Sequence, residues 1–216
     1  GDLFVTDQEG ATWLPNGNPF DELLHIQAGR HYGFPPRHPK HLPDVRDEPS
    51  VFDFEPQHQS TCGLFFNERS DGGPIFGPAW WQGDAFVVGA SRGKIWRIKL
   101  APTAAGYVAQ AQLVATLAML PIDATLSPRG DLVVTCHSGA PDWGSGPNGP
   151  GKIFHLRAAQ SAPQPGAAWA ASPTEVRVAF DRPLDAEVVR KLGARIDGTS
   201  GRYVFEADRY ETVRPG

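Results

Sequence analysis

Two cysteines and one methionine are all the sulfur in this 216-residue chain. A disulfide-stapled framework is therefore excluded, and a single bridge between Cys62 and Cys136 is the most the sequence allows. No apolar run reaches the roughly 18 residues that a spanning helix needs, so a membrane span is not expected. The basic residues are scattered and the net charge is −4; without a basic stripe to track phosphates, a nucleic-acid partner is not expected either. No Gly-rich loop opens a helix and no nucleophile elbow is present, so nucleotide-dependent and serine-hydrolase readings have no support. The carboxylates are not paired as a glycosidase requires. No leader-type segment is visible. The chain opens inside the strand-like "GDLFVTD" and ends on "RYETVRPG", so both ends read as cuts through a longer protein.

Long helical patterning is missing before about residue 184. What the chain has instead is turns and strands. With 24 Gly, 21 Pro and 40% apolar residues it is turn-rich yet able to bury a core. Val, Ile, Phe and Trp gather in short segments bounded by Gly, Pro, Asn or Asp, the composition of an all-β chain.

One phrase is written three times. "GDLFVTD" is followed by "DELLHIQAG", "GDAFVVGAS" by "GKIWRIKL", and "GDLVVTCHS" by "GKIFHLRA". Each reads as a Gly-Asp turn, a strand, a connection and a second strand ending in a basic or polar residue. Ahead of the second and third echoes lie "CGLFFNE" and "DATLSPRG", and ahead of those "SVFDFEP" and "AQLVATLAM". Taken in that order, the segments give four antiparallel strands per unit at a period of roughly 45 to 80 residues, the pattern of propeller blades. A β-sandwich with coincidental Gly-Asp turns is the competing architecture. With strands alternating up and down, residues just before one strand and just after the next share a face. One mouth should then carry Asp7 to Glu9, Gln57 to Ser60, Ala90 to Arg92, Leu120 to Ile122 and Cys136 to Ser138.

Residues 1–158 thus read as about three blades and residues 159–171, rich in Ala, Pro, Ser and Gln, as a linker. Residues 172–216 hold eight acidic and eight basic side chains, leaving the net charge in the earlier part. Their strand-like "TEVRVAFDRPLD", helix-like "DAEVVRKLG" and strand-like "GRYVFEADRYE" read as the start of a truncated Ig-like or fibronectin-like β domain.

In "PFDELLHIQAGRHYGFP" an acidic pair, Asp21 and Glu22, precedes an apolar stretch, Gly29, and a turn built of Tyr32, Gly33, Phe34 and Pro35. Together with "WWQGDAFVVGASRGKIWRIKL" and "DATLSPRGDLVVT", this resembles the glucose/sorbosone dehydrogenase family, over about residues 1 to 158. The resemblance implies a soluble six-bladed propeller, exported to the periplasm or beyond in bacteria, that oxidises a sugar or alcohol with pyrroloquinoline quinone and calcium. It also implies that the missing N-terminal blades of the parent chain are this segment's partner. The family's catalytic histidine belongs to an earlier blade, so no catalytic residue is assigned and the segment alone is expected to be inactive.

By the same resemblance, the quinone's carboxylates are met by basic residues of the later blades. Ser91 and Arg92 fall where the family has a basic dipeptide, His58 where it has a polar contact, and Leu120 and Ile122 where it has two arginines. Backbone carbonyls near Pro19 and Phe20 match its calcium-binding turn. His137 and Trp143 complete the cofactor-binding candidates, Trp143 as a stacking surface or a loop anchor beside Asp142 in a Gly-rich loop.

Each candidate also has a plain structural reading. His58 can be a solvated loop histidine, and Arg92 a salt bridge between blades, for instance to Asp7. Cys62, Cys136, His58 and His137 converging on one mouth could hold a metal, but their spacings match no known knuckle, and buried free thiols are the expectation. His25, His31, His38 and His41 are expected at a solvated surface. The leading functional expectation is a quinone-dependent sugar dehydrogenase scaffold. The alternative is a non-catalytic propeller that binds carbohydrate or a protein partner.

Overall fold

The computed structural model describes residues 1–8, 20–33, 46–54, 59–103, 106–139, 149–159, 165–172, 174–180, 183–192, 201–204 and 209–212. The chain divides into two compact units, Gly1–Gln160 and Ser161–Gly216. Among the described residues no helix is long and apolar enough to cross a membrane.

The first unit is all-β and built of antiparallel sheets stacked as consecutive blades of a partial propeller. Its first sheet joins β1 (Leu3–Asp7), β2 (Glu22–Ile26) and, after a small parallel pair β3 (Arg30–His31) and β4 (Arg46–Asp47), β5 (Phe52–Asp53). The second is a four-stranded meander of β6 (Thr61–Phe66), β7 (Ala85–Gly89), β8 (Lys94–Thr103) and β9 (Gly106–Thr116). The third joins β10 (Leu120–Leu126), β11 (Leu132–His137) and β12 (Lys152–Leu156). The innermost strand β6 packs beside β1 on one side and β10 on the other.

The strand phase differs from the sequence expectation. "SVFDF" does not open the second sheet; its Phe52 and Asp53 pair with β2 and close the first. "AQLVAT" likewise lies on β9, paired to β8 at the outer edge of the second sheet, instead of opening the third. A strand's own letters carry its period but not its partner, so the repeat frames the unit one strand early. The expected four strands occur in the second sheet, whereas the other two show three each among the described residues.

Burial explains why β7 reads as continuous apolar sequence. Ala85 and Val87 join a core with Leu23, Phe54 and Ile98 against the first sheet. Phe86 and Val88 point the other way, into a core with Ile95, Leu132, Val134 and Cys136 against the third. A strand covered on both faces needs apolar side chains at successive positions.

The echoed aspartate is also explained. In all three sheets it reaches the basic residue on the adjacent strand, diagonally across the ladder: Asp2 to His25 at 3.3 Å, Asp84 to Arg97 at 3.5 Å, and Asp131 to His155 at 2.8 Å. Each partner is cross-paired with the residue two after its aspartate: Phe4, Phe86 and Val133 respectively. His25 is therefore not a solvated surface residue, as expected from sequence. It is half-buried, stacked on Phe4 with ring centroids 5.0 Å apart.

In the second unit, β13 (Pro165–Ser172) pairs with β14 (Glu175–Phe180), α1 spans Ala186–Leu192, and β15 (Gly201–Val204) pairs with β16 (Arg209–Thr212). Most of the expected linker is thus strand β13, whose backbone hydrogen bonds to β14 override a composition that reads as spacer. The expected helix is present; the final strand-like stretch is two strands forming a hairpin.

Candidate functional site

The strand ends that the repeat assigns to one mouth do meet, through backbone. After β7, Ala90–Arg92 form a single 3-10 turn closed by Gly93 in the left-handed region at φ 63°, where a side chain would be strained. The Ala90 N–H donates to Ser60 O at 3.1 Å and the Ser91 N–H to Gln59 O at 3.0 Å. The approach to β6 is thereby tied to the exit from β7.

The same approach is held from the first sheet. Asp21, fully buried, accepts the Gln59 N–H at 2.8 Å and the Thr61 N–H at 3.3 Å on one carboxylate oxygen. Between them Ser60 sits at φ 51°, a left-handed conformation costing a non-glycine residue about 1–3 kcal/mol. Backbone strain of this kind persists where surrounding bonds over-determine it. Thr61 Oγ1 donates to Asp7 O at 3.0 Å, and Thr6 Oγ1 to Cys62 O at 3.0 Å, stitching the first and second sheets at this end.

Both inner strands are bulged here. The ladder of β6 with β7 shifts between Thr61 and Leu64, and that of β10 with β11 between Pro121 and Asp123. The paired residues, Gly89 and Cys136, occupy the same place in the echoed phrase. Bulges re-aim side chains and gather at rims and sites. They also bring the two strands close: a Cβ on Gly63 would stand 2.3 Å from Asp123 Oδ1 and 2.9 Å from its Cα.

The candidates divide as follows. Ser91 is buried, Arg92 is half-buried at the turn's end, and His137 is exposed at the end of β11, opposite Leu120. The His137 Nδ1–H donates to Ser138 O at 2.9 Å, which leaves Nε2 as the ring nitrogen open to a ligand hydroxyl. Phe20 is exposed next to Asp21. Pro19, His58 and Trp143 lie outside the described residues, as do Gln57, Phe34, Pro35, His38, His41 and Asp142. His31 lies on β3, half-buried, and its Nδ1 accepts the Gly33 N–H at 3.2 Å.

Both cysteines are free, with Cys136 buried and Cys62 only half-buried. The Cys62 thiol donates to Ser60 O at 3.1 Å. Its pKa is pushed up, first by burial and then by the carboxylates of Asp21 and Asp123. Among the described residues no group of three or more His, Cys, Asp or Glu is placed to hold a metal ion.

A tricarboxylate cofactor fits this wall poorly. Leu120 is half-buried and Ile122 exposed, and neither can neutralise an anion where the resemblance implies arginines. The charged neighbours that influence Cys62 are carboxylates, Asp21 and Asp123, which offer an anion nothing. Sequence reasoning placed Asp21 only as half of an acidic pair in a motif and Ser60 only as part of the mouth segment Gln57 to Ser60; neither the pair nor the segment reveals the distant backbone partners of Asp21.

At the opposite end of β6 and β10, a shallow depression of about 230 Å³ is lined by Glu68, Arg69, Ser70, Asp71, Thr125 and Leu126. Its Arg69 is already engaged by Asp71 and by Ser127 O.

No family model and no curated protein matches the chain. Among solved structures, a protein from Thermus thermophilus described as a candidate oxidoreductase (glucose dehydrogenase) is similar at 23% identity with a TM-score of 0.49. The match covers 72% of this chain, which spans 41% of that one. It bears on neither ligand nor activity.

Proposed function

We propose that this chain forms one side of a propeller mouth that binds a sugar or related alcohol, in a protein of the sugar-dehydrogenase type. The observation that supports this most directly is the lock between Gln59–Ser60 and the Ala90–Ser91 turn. It fixes Arg92 at the same end as the two bulged inner strands and His137. Arg92 carries a forked donor and His137 a ring nitrogen, groups suited to hydroxyls. Oxidation of the bound alcohol falls to the full-length parent, because the base that the resemblance implies lies outside this chain.

A second reading, a non-catalytic module for carbohydrate or a protein partner, is favoured by Leu120 and Ile122. Apolar side chains at that position suit a ligand face or a partner surface better than a tricarboxylate.

The test is calorimetric titration with pyrroloquinoline quinone and calcium, followed by aldose, and then dye reduction in the parent. Quinone binding at micromolar concentration favours the oxidoreductase. Aldose binding without quinone binding leaves the non-catalytic module. Binding of neither sinks the oxidoreductase and the carbohydrate module alike, and leaves only a protein partner for the mouth.

A further inference from the structure

Two backbone groups at the mouth point where an ordinary strand would not send them. In an extended chain successive carbonyls face opposite sides. Yet Gln59 O and Ser60 O both accept from one turn, from the Ser91 N–H at 3.0 Å and the Ala90 N–H at 3.1 Å. The left-handed φ of 51° at Ser60 brings the second carbonyl to the side of the first. A serine does not keep that conformation unaided.

The restraint lies on the other side of the segment. Asp21 Oδ2 gathers the Gln59 N–H and the Thr61 N–H, the amides immediately before and after Ser60. Carboxylate acceptors make the stronger class of hydrogen bond. The acid is itself fixed, 0% exposed, with its carbonyl accepting the Phe54 N–H at 2.8 Å. Gln59 is packed so closely on Gly89 that a Cβ there would stand 3.2 Å from its own.

We propose that Asp21 is a positioning residue for the mouth: buried out of reach of any ligand, its carboxylate holds Ser60 left-handed and, through the carbonyls of Gln59 and Ser60, sets the turn that presents Arg92. This rests on the sugar-binding reading of the mouth. The strained residue sits between the two amides that Asp21 holds, so the turn is placed only while the carboxylate is there. A hydroxyl that meets Arg92 is then sensitive to an acid it never touches, because a small displacement of a binding group is costly.

Backbone NMR of the full 216-residue chain, with and without glucose, tests this. In Asp21→Ala the Ser91 amide should lose exchange protection about 10-fold or more, and glucose should bind about 10-fold more weakly, while the Val87 and Val134 amides keep their protection. Adding Ser60→Gly, which takes a positive φ without strain, should restore both, a recovery that a general loss of stability would not show. Unchanged Ser91 protection in Asp21→Ala, or no recovery with Ser60→Gly, overturns the proposal. Should Asp21→Ala unfold the chain, Ser60→Val takes its place: a β-branched residue resists the left-handed region even with Asp21 present, so Ser91 protection must fall, and an unchanged value overturns the proposal as well. The amide measurement needs no sugar. If glucose does not bind while Ser91 responds as expected, the sugar reading fails and Asp21 still positions the turn.

Discussion

Asp84 and Arg97 lie 3.5 Å apart, carboxylate to guanidinium Nε, with both side chains 1% exposed. Trp80 and Trp81 place their ring centroids 4.4 and 4.5 Å from the guanidinium carbon. Lys99 reaches Asp84 at 3.0 Å, and Gln112 accepts from Arg97. Burial is the leading influence on both members of the pair, pushing the Asp84 pKa up and the Arg97 pKa down.

Removing one partner should strand the other. Asp84→Ala is expected to cost about 3–5 kcal/mol, read by urea unfolding. The equivalent Asp131→Ala breaks a pair whose histidine is largely exposed and should cost less than about 1 kcal/mol. Equal costs would contradict the distinction between a buried pair and its exposed echo.

The echo at Asp2 gives a pH dependence. Its carboxyl is held below the usual range, first by the Tyr107 hydroxyl, which donates at 2.7 Å, and then by His25. A depressed folded-state pKa contributes stability above the unfolded value of about 4, and that contribution is lost as pH falls through the lower folded value. Asp2→Asn should therefore flatten the acid limb of stability against pH. An unchanged limb would show that the Asp2 contacts do not matter to folding.

Cys62 should alkylate slowly at neutral pH. The thiolate is the nucleophile, and burial with Asp21 and Asp123 nearby raises its pKa. The rate of iodoacetamide labelling should therefore climb with a midpoint above that of an ordinary thiol. A midpoint at or below the ordinary value would mean that the Cys62 thiol is not shielded from water and flanked by Asp21 and Asp123 as described.

Gly63→Ala should destabilise by about 1–3 kcal/mol, the cost of overpacking, because its Cβ has no room beside Asp123. A loss within experimental error would mean that β6 and β10 do not approach so closely.

Much of this architecture is written in the repeated phrase. Gly-Asp, two apolar strands and a closing basic residue encode the ladder of β7 with β8 and the pairs Asp84–Arg97, Asp2–His25 and Asp131–His155. The aspartates were legible as turn residues but not as ion-pair partners, since that role depends on a register two residues offset. The framing of β5 and β9 was hidden for the same reason: pairing is non-local. At the mouth, the shared position of Gln59–Ser60 and Ala90–Arg92 follows from strand alternation alone. The buried Asp21 carboxylate that holds it, 38 residues from Gln59 in sequence, leaves no local signal. Nor does any periodicity show that Trp80 and Trp81 enclose Arg97.

The central claim, that the mouth beside Arg92 and His137 is where a sugar binds, is tested most directly by amide NMR of the labelled chain titrated with an aldose. Shifts should cluster at Gln59, Ser60, Ser91, Arg92 and His137 and vanish in Arg92→Ala. No shifts, or shifts confined to the Glu68–Asp71 end, would contradict it.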